Sequence, residues 1–431
     1  MDTLKVRFAR LGVALPEILL PKSGTDMTKW ASVACDQFSS EPQYWSEVYD
    51  FVGEAPSTAK IILPECYLEE GDTEERVAKI QEVMKGYIDG GVLEAQTPGF
   101  IYLERKTQYA ECRKGLMVCV DLEQYDFKPD TKAFVRPTEG TVIDRLPPRM
   151  DIRRDALLDM PHIMVLVDDK EDKLFGAIEK YKSELPTAYD FELMQKSGHV
   201  VGKKIDSAEK LTEICDILES LQKEDGFLFA VGDGNHSLAA AKGIWEERKA
   251  AGASANDPGR YALVEIENIY DSSLEFEPIH RVLFNRDKEK FKAALESTFG
   301  ANVEIVPVAD LAAVEAEIAT EKSCHSYGLM CSEGYGVLKI TKPEVTLDYE
   351  VLQGFLDEFL AENTDTTIDY IHGTDSTVEL GTKAGNLGIL MKAITKDTFF
   401  SEIGANGPLP RKTFSMGEAD EKRFYIESRT I

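Results

Sequence analysis

The chain has 431 residues, with 49 lysines and arginines against 77 aspartates and glutamates, so its formal net charge is -28 at pH 7. This acidity argues against a nucleic-acid partner and an anionic membrane surface, because both are bound through clusters of lysine and arginine. Apolar residues make up 43% and charged residues 29% of the chain, which is ordinary for a folded protein.

The seven cysteines include no Cys-x-x-Cys pair, and the one histidine close to any of them in sequence is His325. We therefore expect free thiols in a reducing cytoplasm and no zinc site. The N-terminus lacks the basic start and apolar block of a signal peptide, and no window approaches about 18 uninterrupted apolar residues. These features predict a cytoplasmic protein without a membrane span.

Taken from the N-terminus, the first notable segment is a polar stretch in an apolar frame, which contains Asp36. Ser40, followed by Glu41 and Pro42, predicts the start of a helix, because proline is favoured in the first helical turn. A charged amphipathic helix is predicted next, over residues 72–88.

Residues 95–155 have a different pattern, in which short apolar runs indicate a period of two. This period predicts a β-rich insertion of antiparallel strands.

Five arginines occur between residues 136 and 154. Arginine forks bind phosphate or carboxylate oxygens with two hydrogen bonds, so Arg136, with Glu139 and Thr141 after it, predicts an anion pocket. A solvated basic face is the alternative.

The stretch that organises the chain is a strand-turn-helix pattern at residues 227–242. Five apolar residues predict a buried strand, and good helix formers follow the turn. Between them, Gly232-Asp233-Gly234 permits a sharp turn, and Asn235 or Asp233 is the predicted helix cap. A helix N-terminus presents free N–H groups and a positive dipole end, so this turn predicts a phosphate site. An ordinary capped turn is the alternative.

The order of strands and helices around this stretch predicts a mixed or parallel sheet covered by helices, with ligands at the carboxyl ends of its strands. His280 and Arg281 follow at a predicted strand edge, where a core histidine is the alternative to a binding role. Lys412 lies in a basic loop near the C-terminus. We expect an α+β core at residues 1–285 and a C-terminal α+β lobe at residues 286–431.

The chain contains no P-loop, dinucleotide fingerprint, protein-kinase motif set, HExxH or GxSxG pattern. We therefore expect no haem, flavin, NAD or zinc. An Mg²⁺ ion held partly by a carboxylate and partly by a substrate phosphate suits Asp233 or Asp36, because Mg²⁺ takes few protein ligands. A serine nucleophile at Ser237 and a zinc pair of Asp233 with His236 are weaker alternatives.

Motifs in chain order carry a family resemblance: Cys-Asp-Gln-Phe at 35–38, Arg-Pro-Thr-Glu-Gly-Thr at 136–141, Gly-Asp-Gly-Asn-His-Ser at 232–237, Pro-Ile-His-Arg at 278–281 and Pro-Leu-Pro-Arg-Lys-Thr-Phe at 408–414. Over most of its length the chain resembles the bacterial family called domain of unknown function (DUF) 1015. The family's central motif is closer to Asp-Gly-His-His-Arg, from which Asn235 and Ser237 depart. Arg136 or Arg281 is expected to replace the missing arginine.

The same central motif is similar to that of the ParB/sulfiredoxin-like superfamily, which includes nucleotide-binding proteins and free serine kinases. This resemblance implies a ParB/sulfiredoxin-like core with insertions, a phosphate cradle at residues 233–237, and ATP or ADP as a bound nucleotide. It also implies Asp36 as the catalytic base and serine or phosphoserine as the small molecule.

We therefore predict a phosphoryl-transfer enzyme acting on a small hydroxy metabolite, as a small-molecule kinase or a phosphoserine phosphatase. A non-catalytic nucleotide- or metabolite-binding regulator and a structural interaction protein are the alternatives, and a homodimer is compatible with each. The predicted catalytic residues are Asp36, Glu139 and His236; the predicted substrate- and phosphate-binding residues are Asp233, Gly234, Asn235, Ser237, Arg136, Thr141, His280, Arg281 and Lys412; and the predicted metal ligand is Asp233.

Overall fold

The structure of the protein is a computed structural model, which describes residues 2–68, 71–320, 324–342, 347–410, 412–418 and 421–431. Its α-helices are α1 (Asp2–Arg10), α2 (Met27–Trp30), α3 (Pro42–Val52), α4 (Thr73–Asp89), α5 (Leu146–Arg154), α6 (Lys173–Glu179), α7 (Ala208–Leu221), α8 (Asn235–Ala250), α9 (Lys288–Phe299), α10 (Leu311–Ala319), α11 (Asp348–Glu362), α12 (Thr374–Gly381) and α13 (Lys396–Asn406).

The β-strands are β1 (Val13–Ala14), β2 (Leu19–Pro21), β3 (Leu93–Ala95), β4 (Phe100–Lys106), β5 (Arg113–Asp121), β6 (Val135–Pro137), β7 (Leu158–Asp159), β8 (Met164–Val167), β9 (Thr187–Glu192), β10 (His199–Ile205), β11 (Phe229–Asp233), β12 (Tyr261–Asn268), β13 (Phe276–Phe284), β14 (Val303–Val308), β15 (Cys324–Cys331), β16 (Gly334–Thr341), β17 (Thr367–His372), β18 (Leu387–Leu390), β19 (Phe414–Met416) and β20 (Arg429–Thr430).

The chain divides into two compact units. The first contains the described residues up to Glu275, with Phe400–Pro408 and Gly417–Ile431; the second contains Phe276–Phe399 and Leu409–Met416. The second unit thus starts earlier than the expected residue 286, and the end of the chain belongs to the first unit.

The first unit is built on a mixed sheet of nine described strands in the order β6-β11-β8-β12-β5-β4-β10-β9, with β1 paired to β5. In it β11 runs parallel to β6, and β12 runs parallel to β8. The β11–β8 and β12–β5 pairs are antiparallel. β4 and β5, which come from the segment where we expected an insertion, lie within this sheet.

Helices cover both faces of this sheet. On β5, Leu116, Val118 and Val120 point into a core that also contains residues of α1, α6, α7 and α8. Met117 and Cys119 point into a second core, which contains residues of α2, α3 and α4. The alternation follows from the two-residue period of a strand, and burial of both faces explains why β5 is apolar at successive positions.

The last residues of the chain, 421–431, form a C-terminal strap across the second of these faces. The strap pairs with the segment before Asp36, because Ala34 N donates to Arg423 O at 2.9 Å and Tyr425 N donates to Ser32 O at 2.8 Å. The strap is therefore held beside the segment that leads to Asp36, within the first unit.

The second unit contains a sheet of seven described strands in the order β14-β16-β15-β18-β13-β17, with β19 paired to β13. Residues of α9 and α11, such as Phe291 and Phe355, form a core on one face. Residues of α10, such as Val314, pack on the other face with Met330 and Leu390.

The predicted α+β class with mixed sheets covered by helices is confirmed. A membrane-spanning helix was not expected, and among the described helices none is both long enough and apolar enough to cross a membrane.

Candidate functional site

The candidate site begins where β11 ends and α8 starts. Phe229 and Val231 point into the core beside α8, and strict alternation would send Asp233 the same way. However, the pairing of β11 with β8 shifts between Val231 and Asp233, so Asp233 lies opposite Met164. Val165, the next residue of β8, faces the α8 core, so Met164 and its partner Asp233 face the other side of the sheet. The irregularity therefore turns Asp233 to the face crossed by the strap.

Gly234 makes the turn into α8 possible. Its φ is 78°, in the left-handed region, and it occupies the N-cap position. A Cβ there would lie 3.0 Å from the Cα of Ile163, so both the conformation and the close approach require glycine. The cap predicted at Asn235 or Asp233 is wrong, because Asn235 is the first helical residue and Gly234 leaves the first turn without a side-chain cap.

The loop that follows β6 packs against this helix N-terminus. Thr138 N donates to Asn235 Oδ1 at 3.3 Å, and Thr138 Oγ1 donates to the carbonyl of Val231 at 2.5 Å. Val142 N donates to Nε2 of His236 at 3.3 Å. The side chains of Asn235 and His236 therefore hold the loop, which is a positioning role in this structure.

Two further predicted residues, Glu139 and Thr141, lie within the same loop and are half-buried. The Thr141 hydroxyl is buried and has no hydrogen-bond partner in the described part of the chain. A buried hydroxyl without a partner costs free energy, so it offers a hydrogen bond to a ligand at this loop.

Asp233 faces a lysine of the strap. Lys422 Nζ lies 3.4 Å from Asp233 Oδ2, and Gly234 N donates to Asp233 Oδ1 at 2.9 Å. Burial by itself raises the pKa of Asp233, but attraction to Lys422 and His162 and the Gly234 hydrogen bond outweigh burial and hold the pKa below its ordinary value. Asp233 is therefore ionised at neutral pH.

His162 lies between two carboxylates and a helix residue. It is 5% exposed and lies two residues before the start of β8. Its Nε2 lies 3.1 Å from Ser237 Oγ and 3.8 Å from Asp36 Oδ2. We call the group of Asp36, His162, Asp233, Ser237 and Lys422 the junction site.

Tyr425 of the strap contacts the second ring nitrogen of His162. Its hydroxyl lies 2.8 Å from His162 Nδ1 and accepts a hydrogen bond from Cys35 N at 3.2 Å. Burial raises the pKa of Tyr425 well above its ordinary value, so the hydroxyl keeps its proton at neutral pH. When the hydroxyl donates this proton to Nδ1, the imidazole of His162 carries its own proton on Nε2, facing Ser237 and Asp36.

Buried ion pairs hold the strap in place. Arg423, next to Lys422 in sequence, lies 2.9 Å from Glu265 Oε2 through Nε and contacts the carboxylate of Glu427. These three side chains are 1% exposed or less as residues, so each charge depends on its partners. The network fixes the backbone that carries Lys422 and Tyr425.

Arg136 lies at the opposite end of β11 from the junction site. Its Nη2 lies 2.6 Å from Asp225 Oδ2, and its guanidinium is 4.3 Å from the ring centre of Phe227. Both partners precede β11, whereas Asp233 ends that strand. The structure therefore does not bring Arg136 to the junction site; an acidic and an aromatic partner hold it elsewhere.

His280, Arg281 and Lys412 belong to the second unit. Arg281 is fully buried, with its guanidinium 5.3 Å and 5.6 Å from the ring centres of Tyr370 and Tyr349. His280 accepts a hydrogen bond at Nδ1 from Met391 N at 3.1 Å. The binding roles expected for these three residues stay predictions.

The prediction from sequence missed His162, Lys422 and Tyr425. His162 stands after a proline at the start of an apolar run, which is a weak signal for a polar residue at a strand end. Lys422 and Tyr425 lie close to the C-terminus, and nothing in the neighbouring sequence shows where this segment packs.

The fold and the site define an α+β protein whose main sheet carries a charged junction at a helix N-terminus. The sequence profile of the family described as "Protein of unknown function (DUF1015)" matches residues 19–359. The chain therefore belongs to this family, which confirms the resemblance seen in its motifs.

The chain is similar to several solved structures, among them the following three. A conserved hypothetical protein from Pyrococcus furiosus is 14% identical, with a TM-score of 0.36, and the match covers 73% of this chain and 94% of that one. A free serine kinase in complex with AMP is 14% identical, with a TM-score of 0.38 and coverage of 70% and 88%. SbnI with a C-terminal truncation, from Staphylococcus aureus, is 7% identical, with a TM-score of 0.37 and coverage of 72% and 85%. Among curated proteins, none matches this chain.

Proposed function

We propose that this protein is a cytoplasmic phosphoryl-transfer enzyme that acts on a small hydroxy metabolite at the junction site. One observation carries the proposal: four separate chain segments place two carboxylates, a histidine and a lysine beside the uncapped N-terminus of α8. Phosphoryl transfer depends mainly on positioning and on charge stabilisation, and these groups supply both.

In this proposal the phosphate lies at the first turn of α8. The helix dipole and the uncapped first turn favour an anion there. Lys422 adds a cation next to Asp233, and the partnerless Thr141 hydroxyl adds a donor from the neighbouring loop. Lys422 takes the place that we had given to Arg136 or Arg281, and it compensates for the serine at position 237.

Asp36 is the proposed base. Its Oδ2 lies 3.8 Å from His162 Nε2, a distance that leaves the oxygen open to a substrate hydroxyl, and its Oδ1 accepts from the Gln37 side chain at 3.1 Å. Accepting the proton of an attacking hydroxyl is the role that a carboxylate has in such sites. In the proposal His162 orients Ser237 through its Nε2 proton and lies beside Asp36.

Ser237 is not the proposed nucleophile. A serine nucleophile needs a histidine nitrogen without a proton as its partner. In this proposal Tyr425 donates to Nδ1 of His162, so the imidazole proton lies on Nε2 and His162 donates to the Ser237 hydroxyl rather than accepting from it.

Mg²⁺ and a nucleotide, ATP or ADP, are the proposed cofactors. The carboxylates of Asp36 and Asp233 are hard oxygen donors, which fit Mg²⁺ when phosphate oxygens and waters complete its shell. When bound, the ion would neutralise phosphate charge. Serine or phosphoserine is the proposed substrate, on the motif resemblance to free serine kinases.

A second candidate is a non-catalytic nucleotide- or metabolite-binding regulator. It is favoured by Ser237, which stands where the family's usual motif has an arginine, and by Asp233, which is already paired with Lys422. Both observations are compatible with a site that binds phosphate but lacks some of the residues needed for catalysis.

The test is a ³¹P NMR time course with MgCl₂, L-serine and either ATP or ADP, and a parallel course with L-phosphoserine alone. We expect a phosphoserine resonance in the first or inorganic phosphate in the second, and neither with Asp36→Asn. Phosphoserine binding without turnover, unchanged by Asp36→Asn, would instead establish the regulator. Absence of both binding and turnover would reject the two candidates together.

A further inference from the structure

A cavity lies in the first unit, against α3 and α4, and no residue of the junction site lines it. Its volume is about 490 Å³, a size typical of pockets for small organic molecules. Tyr49 and Gly53 contribute from the end of α3, and Arg76, Lys79 and Val83 contribute from α4. We call this cavity the α3–α4 cleft.

One wall of the α3–α4 cleft is aliphatic. It is formed by Ala59, Ile62 and Leu63, which follow α3, and by Ile80 and Val83 on α4. Ile80 and Val83 are three residues apart and so share one face of the helix. Ala59, Ile62, Leu63 and Ile80 are buried, so this wall is a continuation of the core that opens into the cleft.

Three hydrogen-bond donors around this wall lack partners. In the described part of the chain, the Tyr49 hydroxyl and the ammonium groups of Lys60 and Lys79 form no hydrogen bond or ion pair. Lys85, further along α4, is paired with Asp89, so α4 does offer its lysines acidic partners. Arg76 is already paired with Asp72 at 2.8 Å.

The charge balance of the α3–α4 cleft is opposite to that of the chain. Its lining contains Lys60, Arg76 and Lys79 against the single carboxylate of Glu54. In a chain with a net charge of -28, an apolar pocket rimmed by unpaired lysines selects for an anion. A compact phosphate would leave the aliphatic wall bare, whereas a purely apolar ligand would leave the lysines without partners.

We propose that the α3–α4 cleft binds an amphipathic monocarboxylate, with its carboxylate at Lys60, Lys79 and the Tyr49 hydroxyl and its hydrocarbon body on the aliphatic wall. The proposal does not depend on the chemistry of the junction site. Asp36→Asn is expected to leave this binding unchanged, so the two proposals fail or succeed separately.

The test is isothermal titration calorimetry of the full chain with octanoate, 1-octanol and acetate. Octanoate is expected to bind more tightly than either of the other two, because 1-octanol lacks the carboxylate and acetate lacks the hydrocarbon body. In Lys60→Glu/Lys79→Glu the Kd for octanoate is expected to rise at least about tenfold, since both attractive charges become repulsive.

Lys5→Glu/Lys132→Glu is the matched control, because it changes the net charge equally at two exposed lysines outside the cleft. It is expected to keep the wild-type Kd. Tyr49→Phe, which removes only the hydroxyl, is expected to weaken octanoate binding while retaining the melting temperature. Equal binding of octanoate and 1-octanol, an unchanged Kd in the Lys60/Lys79 double variant, or no octanoate binding to the wild type would overturn the proposal.

Discussion

The described chain contains two buried histidines with opposite surroundings. His162 is 5% exposed and His280 is 4% exposed. His162 lies 3.1 Å from Ser237 Oγ and 3.8 Å from Asp36, and its neighbourhood includes the half-buried Asp233. His280 accepts from a backbone amide, lies 3.5 Å from the Thr374 hydroxyl and is followed by the buried Arg281.

The comparison of their neighbours shows what makes a buried histidine a candidate catalytic residue. Burial, Arg281 and His372 lower the pKa of His280 to about 4, so it is neutral at physiological pH and serves as a hydrogen-bond acceptor for its sheet. His162 has carboxylates and a helix N-terminus around it instead. The acids beside the imidazole, not its burial, separate the two sites.

The largest expected effect is on the acid beside His162. Asp36→Asn removes the proposed base while preserving the size of the side chain, and we expect turnover to fall about 1,000-fold. Initial rates by ³¹P NMR or a coupled assay measure it. His280→Asn is the counterpart, and its turnover should equal that of the wild type; an equal loss in both variants would remove the distinction between the two histidines.

The next effect concerns the strap that brings Tyr425 to His162. Arg423→Met leaves the buried carboxylates of Glu265 and Glu427 without their partner, so we expect the free energy of unfolding to fall by about 3–5 kcal/mol. Urea unfolding measures it. Arg154→Met, which breaks exposed ion pairs with Asp151 and Glu247, should cost less than about 1 kcal/mol.

A pH effect isolates His280. Its folded pKa lies below the ordinary value, so the unfolded chain binds its proton more readily and acid favours unfolding. The contribution of His280 is fully present above about pH 6.5 and is lost as the pH falls towards 4, by about 3 kcal/mol in total. Urea unfolding across this range should show a steeper loss for the wild type than for His280→Asn. Equal slopes would mean that His280 is not held neutral.

The smallest effect concerns Tyr425. In the proposal Tyr425 donates to Nδ1 of His162 and so keeps the imidazole proton on Nε2. Tyr425→Phe removes this donor, and a lost hydrogen bond of this kind is worth about tenfold in kcat. We expect kcat to fall by that factor with KM unchanged, because Tyr425 is buried and the proposal gives it no contact with the substrate. A rise in KM at constant kcat would show that Tyr425 supports binding instead.

The sequence was informative where the physics is local. The glycine pair around Asp233 and the helix formers after it predicted a strand-turn-helix with an exposed helix N-terminus, because φ and helix propensity are properties of neighbouring residues. The cap position was wrong by one residue, since the need for glycine at position 234 comes from contact with Ile163, far away in sequence.

Which residues contact that turn depends on how β11 pairs with β8 and on where the C-terminal residues pack. A single sequence shows neither. The irregularity between Val231 and Asp233 decides which face Asp233 points to, and it is visible only once β8 is paired with β11. For the same reason, Arg136 was a reasonable phosphate ligand by spacing, whereas the structure pairs it with Asp225. Lys422, which has that place in our proposal, comes from the end of the chain.

The contrast between Lys422 and Arg136 gives the most direct test of the junction site. Isothermal titration calorimetry of L-phosphoserine with MgCl₂ should compare the wild type, Lys422→Met and Arg136→Met, each checked for an unchanged melting temperature. We predict that Lys422→Met weakens binding at least about tenfold, as loss of a charge-assisted hydrogen bond does, while Arg136→Met retains wild-type affinity. Wild-type affinity in Lys422→Met together with lost binding in Arg136→Met would contradict the account.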